Sequence, residues 1–359
     1  MKLASAFHRR IEQPRITECV GTGRAGVVSR SGISAFCSSL FLATALLAGG
    51  SVAARATEPA TATQGPAQAL AAVTSKVVGQ ASELSLWENI ALGPDGAFYV
   101  SDHNHRRILR YADVEGLKIF AELPAYPLGL IFDTDGTLYV GAIGRNALTP
   151  VNGPDANTIY RIRPEGKPEL FKEAKDARLL NGWVRLAPGR LLIADSIGGT
   201  IWQLDTKSGD LTKFASDPLL DTPDPTIVTP AANGLKIHDG YLYISNTARK
   251  TIYRARLDPA GKLGPIEAYQ ENARADDIAF SPKGNLFYTT HQKSLYVILD
   301  GKSVEFSHDP AIRGSTALIW GEKGKGPYVV SDGGMFASIK YKGGPPDKAG
   351  LTEIIGSPY

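Results

Sequence analysis

Residues 232–246 read Ala-Asn-Gly-Leu-Lys-Ile-His-Asp-Gly-Tyr-Leu-Tyr-Ile-Ser-Asn. A short apolar run follows the opening polar residue, and Asp239-Gly240 separates it from a second run rich in Tyr, Leu and Ile. Asp-Gly between two apolar runs is typical of a tight β-hairpin, because glycine adopts a positive φ without steric cost. The phrase therefore predicts two antiparallel strands joined by a turn.

The rest of the chain repeats this phrase five times. Counting from the residue that opens each phrase, the six copies begin at Glu88, Leu128, Asn181, Asn233, Asp276 and Thr316. Their starts are 40, 53, 52, 43 and 40 residues apart. A third and a fourth apolar run follow each copy, as at residues 108–111 and 117–120. Repeats of this length, with strand signals and no helical period, predict an all-β, six-bladed β-propeller with four antiparallel strands in each blade. Another all-β fold, such as a sandwich, is the alternative.

The predicted propeller occupies residues 85–359 as one domain. The predicted blades span residues 86–123, 127–175, 178–218, 231–271, 273–310 and 314–355. Residues 57–84 are predicted to be a linker, with a possible strand at Val77-Val78 that closes the ring. Excess length at residues 141–158 and 217–230 predicts a lid over one mouth of the central channel.

Residues 1–56 are predicted to be an export signal. Residues 33–54 carry no charge, and Ala54-Arg55-Ala56 fits the small-x-small cleavage pattern, which would make Thr57 the first mature residue. An uncleaved anchor helix is the alternative, because 22 uncharged residues are long enough to span a bilayer. We therefore expect a periplasmic or secreted protein without membrane contact after cleavage.

Charge and cysteine content exclude several classes of function. The net charge is +3, but the seven basic and two acidic residues of the first 56 account for +5, which leaves −2 for the rest. A slightly acidic body without a basic stripe argues against a nucleic-acid partner. Both cysteines, Cys19 and Cys37, precede the propeller, so the propeller has neither a disulfide nor a cysteine nucleophile. The sequence carries no signal for the oligomeric state.

The first residue of each repeat is predicted to face the central channel at one mouth. Four of these six residues, Glu88, Asn181, Asn233 and Asp276, carry a carboxylate or amide oxygen. An isolated Asn-Gly pair is usually only a turn, but Asn181-Gly182 and Asn233-Gly234 each precede a strand in register with the two acids. Two carboxylates and two amides suit a hard divalent cation, most simply calcium, whereas zinc prefers His or Cys and magnesium a stricter octahedron.

This order of residues resembles the SMP-30/gluconolactonase/LRE-like superfamily of calcium-dependent six-bladed propellers, which includes paraoxonases and diisopropyl fluorophosphatase. The resemblance covers roughly residues 85–355 and implies calcium bound by Glu88, Asn181, Asn233 and Asp276, with Asp277 as a further polar ligand. It also implies hydrolysis of a small-molecule lactone or related ester, with Asp276 as base or nucleophile. Gluconolactonase-type members place an arginine two residues before the third-blade asparagine, where this chain has Leu179. The resemblance therefore does not extend to a sugar lactone.

Histidines and tryptophans near the predicted mouth are the remaining candidates for the site. His291 ends the second strand of blade five, the blade that carries Asp276, and is the expected proton shuttle. His103 and His105 occupy the matching loop of blade one, where a solvated loop residue is the simpler interpretation. Trp87 and Trp183 flank predicted ligands and would line a pocket or pack in the core. No role is assigned to His238 or His308.

Two functions other than hydrolysis remain open. Residues 102–108, Asp-His-Asn-His-Arg-Arg-Ile, resemble the loop of NHL-type repeats. Such propellers bind proteins or glycans without catalysis, and the cation would then be structural. A condensing enzyme like strictosidine synthase is the other alternative, although such relatives lack the ring of oxygens.

Overall fold

Each repeated phrase folds as the first hairpin of a four-stranded antiparallel sheet. The structure is a computed structural model that describes residues 73–145, 157–224 and 229–358. The six glycines at the predicted turns all have a positive φ, between 74° and 83°, as the hairpin geometry requires. The described residues form six such sheets, which confirms the predicted six-bladed propeller.

The first three blades follow the chain order from the inner to the outer strand. Blade one contains β2 (Trp87–Leu92), β3 (Phe98–Asp102), β4 (Arg107–Ala112) and β5 (Gly116–Glu122). Blade two contains β6 (Tyr126–Phe132), β7 (Leu138–Ile143), β8 (Asn157–Ile162) and β9 (Pro168–Glu173). Blade three contains β10 (Leu180–Ala187), β11 (Arg190–Asp195), β12 (Thr200–Asp205) and β13 (Leu211–Ser216).

Blades four and five have the same strand order. Blade four contains β14 (Ala232–His238), β15 (Tyr241–Asn246), β16 (Thr251–Leu257) and β17 (Leu263–Glu271). Blade five contains β18 (Ile278–Phe280), β19 (Leu286–Thr289), β20 (Leu295–Leu299) and β21 (Lys302–Ser307). Single turns of 3-10 helix lie at Pro218–Leu220, Pro310–Ile312 and Glu322–Gly324.

Blade six takes its outermost strand from the other end of the propeller sequence. Its inner strands are β22 (Ser315–Ile319), β23 (Tyr328–Ser331) and β24 (Gly350–Ile355), and the helix α1 (Met335–Tyr341) lies between β23 and β24. The strand β1 (Thr74–Gln80) pairs antiparallel with β24 and completes the sheet. The strand expected around Val77-Val78 is therefore present, and it joins the first described residues to the last blade.

The core consists of apolar side chains between neighbouring blades. Blades six and one meet through residues that include Trp87, Val100, Val330 and Leu351, all buried. Each fully buried side chain of this size stabilises the fold by about 1.5–3 kcal/mol relative to exposure. This packing fixes the six inner strands around one axis and so positions the residues at their ends.

The predicted export signal at residues 1–56 and most of the predicted insertion at 141–158 lie outside the described residues. In the part of the chain that the structure describes, no helix has the length and apolar character needed to cross a bilayer.

Candidate functional site

The inner strands bring the four predicted oxygen donors together. The amide of Asn181 donates from Nδ2 to Glu88 Oε1 over 3.4 Å. The amide of Asn233 donates from Nδ2 to Asp276 Oδ1 over 2.5 Å. Each bond joins side chains of different blades, and Glu88, Asn181 and Asp276 line the same cavity. The two pairs therefore form one group. Their role as metal ligands stays a prediction.

Two other residues complete the ring without adding charge. Thr316 donates from Oγ1 to the backbone oxygen of Trp87 over 2.8 Å. Leu128 contributes an apolar side chain to the cavity described below. The carboxylate and amide groups of the ring therefore come from four of its six members.

The glycines that follow the asparagines are required by close approach of the inner strands. A Cβ on Gly182 would lie 1.9 Å from the backbone oxygen of Asn233, and one on Gly234 would lie 2.5 Å from Asp277 Oδ1. Both distances are far below van der Waals contact, so only glycine fits at these two positions. The glycines of the two Asn-Gly pairs therefore allow the inner strands of neighbouring blades to pack closely.

A cavity of about 150 Å³ opens beside this group. Most of the surface that its wall exposes is apolar, and the polar ring supplies the acids. It is lined by Leu86, Glu88, Leu128, Leu179, Asn181, Thr229, Pro230, Thr247, Arg274, Asp276, His291, Gln292, Phe336 and Ala337. Pockets for drug-sized molecules usually measure about 300–1,000 Å³. The volume here therefore suits a small ligand.

Asp276 has one satisfied and one unsatisfied carboxylate oxygen. Asn233 donates to Oδ1, whereas no hydrogen-bond donor among the described residues points at the buried Oδ2. Nδ1 of His291 lies 3.0 Å from Oδ2, which is ion-pair distance, but the ring N–H is not directed along the line to that oxygen. A buried carboxylate oxygen without a donor is costly unless a ligand or cation fills the position.

The imidazole of His291 lies between two carboxylates. Its Nε2 is 3.2 Å from Asp332 Oδ2, and its ring centroid is 4.8 Å from that of Phe336. Burial acts to lower the pKa of His291, but the neighbouring carboxylates of Asp276 and Asp332 outweigh it and raise the pKa well above its usual value. His291 also has a φ of 55°, an uncommon conformation for a residue with a side chain. The two carboxylates thus favour the protonated form of the expected proton shuttle.

Asp332 is a site residue that the sequence did not reveal. It follows β23, accepts from the backbone N–H of Gly334 and of Phe336 over 2.7 and 2.8 Å, and is fully buried. Acidic residues end the second strand in other blades too: Asp195 accepts from the backbone N–H of Arg178. Such repetition suggests a structural cap, so only the position of His291 distinguishes Asp332.

Burial and the neighbouring carboxylates raise the pKa of the Glu88 carboxyl to about 7. Burial is the main cause, the charges of Asp276 and Asp332 add to it, and His291 opposes it. The site thus holds more negative than positive charge. Together with the unsatisfied oxygen of Asp276, this excess fits a hard cation bound by carboxylate and amide oxygens.

The conventional metal-ligand pattern is absent. Within the described ranges, no group of three or more His, Cys, Asp and Glu side chains is placed to hold a metal ion by itself. The candidate ring differs from such a group because two of its four donors are amides.

The structure separates Asp277 from the predicted ligands. Its Oδ1 accepts from Lys236 Nζ over 3.0 Å, and its Oδ2 accepts from the backbone N–H of Leu318 over 3.4 Å. Both of its carboxylate oxygens therefore have partners. The structure thus gives no support to Asp277 as a ligand, and that role stays a prediction.

The histidines of blade one serve the local structure. His103 is buried, its Nδ1 lies 2.9 Å from the backbone oxygen of Pro127, and burial lowers the pKa of its ring to about 4. His105 contacts Asp102 at 3.0 Å and Ser85 at 3.0 Å through the same ring nitrogen, so the three do not form a proton relay. Neither histidine lines the cavity.

The remaining candidates lie away from the site. Trp87 and Trp183 are buried in the core between blades rather than in the cavity wall. His238 stacks on Phe280 with ring centroids 4.0 Å apart, and His308 lies 3.9 Å from Glu305. Of the predicted lid, Thr229 and Pro230 line the cavity, while residues 146–156 and 225–228 lie outside the described residues.

The fold and the site define a six-bladed propeller with a polar ring at one mouth, and solved structures with this architecture are similar over most of the chain. Luciferin-regenerating enzyme has a TM-score of 0.59 at 13% identity, with 79% of this chain and 95% of that chain covered. A gluconolactonase from Xanthomonas campestris has a TM-score of 0.58 at 15% identity, with 80% and 93% covered. Regucalcin from Agrobacterium tumefaciens, a calcium-binding protein, has a TM-score of 0.58 at 16% identity, with 78% and 94% covered. These likenesses confirm the predicted resemblance at the level of the fold.

Sequence comparison adds one relative. No family model matches the chain. A Phoma sp. protein provisionally described as a hetero-Diels-Alderase is 28% identical over 147 residues. The match spans 37% of this chain and 41% of that protein, so the chain covers less than half the length of the relative.

Proposed function

We propose that the protein is a calcium-dependent hydrolase of small lactones or related esters. The observation that carries the proposal is Asp276. In the part of the chain that the structure describes, its buried Oδ2 has no hydrogen-bond donor. Asp276 lines a cavity of suitable size, and Oδ2 is 3.0 Å from a histidine that also contacts a second acid. Such a constellation fits acid–base chemistry beside a bound cation better than it fits a structural role.

Four residues would hold the cation: Glu88, Asn181, Asn233 and Asp276. When bound, calcium would supply Lewis-acid polarisation of the substrate carbonyl and stabilise the developing oxyanion. Side chains of the protein would exclude water and transfer the protons. The apolar wall, which includes Leu128 and Phe336, would exclude bulk water around the reacting carbonyl.

The side chains that could accept and donate protons in the site support hydrolysis. Asp276 would accept a proton from the attacking water as the new C–O bond forms. Alternatively, Asp276 would itself attack the carbonyl carbon, and water would then hydrolyse the acyl-aspartate while His291, neutral after protonating the alkoxide, accepts the proton of that water. The imidazolium of His291 would donate its proton to the leaving alkoxide as the ring C–O bond breaks. In the water route, the proton on Asp276 would then return to His291 across the 3.0 Å that separates them. Asp332 would hold the imidazole in place during both transfers.

The comparisons with solved structures support the fold on which this proposal depends, and not the reaction. A gluconolactonase and a calcium-binding regucalcin share the fold, but at 15–16% identity their activities do not transfer. Leu179 occupies the position that the sequence resemblance associates with sugar binding, so we propose a substrate other than a sugar lactone.

The proposal is tested by stripping the purified protein of metal and reloading it. Hydrolysis of a panel of lactones and aryl esters should be lost with the metal and return with calcium. Asp276→Asn should be inactive after reloading, whereas the matched change Asp277→Asn should retain calcium-dependent activity because that side chain faces away. Activity that is equal with and without calcium, or absent across the panel, would refute the proposal.

A second candidate is ring formation without a cation. The relative from Phoma sp. favours it, as does the apolar cavity, because a cycloaddition needs a shaped pocket and hydrogen-bond donors rather than a nucleophile. In this case metal removal would leave ligand binding unchanged. A non-catalytic binding platform would likewise show no calcium-dependent turnover.

We propose further that the protein is exported and acts on a small molecule in the periplasm or outside the cell, without a nucleic-acid or membrane partner. The uncharged segment at residues 33–54 and the cleavage pattern before Thr57 support export. Cell fractionation with N-terminal sequencing tests it: a mature protein that begins at Thr57 is expected, and an intact, cytoplasmic chain would contradict it.

A further inference from the structure

Arg274 is the one arginine or lysine among the described residues that line the cavity. It is partly buried, yet within the described chain its guanidinium makes no hydrogen bond, ion pair or ring contact. Other partly buried arginines differ: Arg107 lies 2.7 Å from Asp102, and Arg110 lies 2.9 Å from Asp95. A partly desolvated charge without a partner is unfavourable and marks a position that a ligand can satisfy.

The pseudo-symmetry of the propeller explains why this side chain reaches the cavity. Arg274 lies two residues before the ring residue of blade five, as Leu86 and Leu179 do in blades one and three. All three line the cavity. The same wall position is thus apolar in two blades and cationic in the third. The charged wall position is next to Asp276, where the chemistry is proposed.

The guanidinium itself specifies the sign of the missing group. An arginine side chain is a permanent cation, so the group that would pair with it in the cavity is an anion. A planar guanidinium binds a carboxylate with two parallel hydrogen bonds.

We propose that Arg274 is a specificity residue that binds a carboxylate group on the substrate. The preferred substrates are therefore small lactones or esters with one acidic group and an otherwise apolar frame. This proposal rests on the proposed function for the reaction but not for the binding step. A sugar lactone is disfavoured because its hydroxyls would meet leucines and Phe336.

The binding step is tested with ligands that cannot be hydrolysed. Calorimetry would compare cyclopentanecarboxylate with cyclopentanecarboxamide, a neutral molecule of the same shape, with and without calcium. The wild-type protein should bind the carboxylate about tenfold more tightly or better in both conditions. Arg274→Gln should remove the difference, and Arg274→Lys should restore part of it. Arg178→Gln is the matched control, because this exposed arginine lies one residue before Leu179 and outside the cavity wall.

Hydrolysis provides a separate arm of the test. The substrates are 5-oxotetrahydrofuran-2-carboxylate and γ-valerolactone, which share one ring and differ by carboxylate against methyl. The wild type should have a lower KM for the carboxylate than for γ-valerolactone. Loss of this KM difference in Arg274→Gln supports the proposal. Equal binding of carboxylate and carboxamide by the wild type, or an unchanged preference in Arg274→Gln, overturns it. Carboxylate selectivity without any hydrolysis supports the role of Arg274 and refutes the proposed function instead.

Discussion

Calcium affinity should depend on pH through Glu88. The perturbations are a change from pH 8 to pH 6 and the substitution Glu88→Gln. Burial and the neighbouring acids raise the pKa of this carboxyl to about 7, so it holds its proton into the neutral range. A protonated carboxyl cannot serve as an anionic ligand, and protons therefore compete with calcium as the pH falls through 7.

The size of the effect follows from that pKa. With a pKa of about 7, the carboxyl is about 91% ionised at pH 8 and about 9% at pH 6, so affinity should fall roughly tenfold. A carboxyl with the ordinary value of 4.5 would remain ionised at both pH values and change the affinity by only about 3%. The direction is fixed by the sign of the shift, because a raised pKa weakens binding on the acidic side.

Isothermal titration calorimetry of the metal-free protein at pH 6, 7 and 8 measures this dependence. Glu88→Gln should bind more weakly at pH 8 and lose the roughly tenfold component, while it retains any dependence that arises at His291. The wild type and Glu88→Gln are therefore compared by their fold-change rather than by absolute affinity. An identical fold-change in the two proteins would refute the reasoning.

Three further predictions concern the neighbourhood of the site. Gly182→Ala places a Cβ against a backbone oxygen of the next blade and should cost about 1–3 kcal/mol or more in urea unfolding, whereas Gly344→Ala, with open space around it, should not. Asp332→Asn should lower kcat about 10–100-fold with little change in calcium affinity, since it weakens the support of His291. Deletion of the chain through Gln80 removes β1 and leaves β24 as an unpaired edge, so thermal unfolding should occur earlier and light scattering should show aggregation. An unchanged midpoint for the deletion, or full activity of Asp332→Asn, would contradict the corresponding role.

The fold could be predicted because the same local signals occur six times. Blade four was expected at residues 231–271, and its strands run from Ala232 to Glu271. Hairpin turns depend on the conformational freedom of glycine, which is a local property, and repetition removes the ambiguity of any single copy. The partner of β1 was harder to predict, because β24 lies at the far end of the chain and no local signal links two such distant strands.

The ring of donors could be predicted for the same reason, but its neighbours could not. Asp276 was identified by its register with the other repeats. Asp277 adjoins Asp276 in the chain, but its carboxylate accepts from Lys236 of blade four, a contact that no local signal predicts. Asp332 and Arg274 were missed because their roles depend on contacts between blades. Asp332 contacts a histidine 41 residues away. Arg274 is distinguished only by its place in the cavity wall and by the lack of a partner among the described residues.

The central claim is that one cation binds among the four ring side chains, and a calcium titration of Asn233→Ala tests it most directly. Calorimetry should give one calcium per wild-type chain and an affinity at least about tenfold weaker in Asn233→Ala. Asn233→Asp, which keeps the oxygen, should still bind, and Asn285→Ala, outside the ring, should match the wild type. Circular dichroism would show that each variant is folded. If folded Asn233→Ala binds calcium as tightly as the wild type, or if the wild type binds none, the account is contradicted.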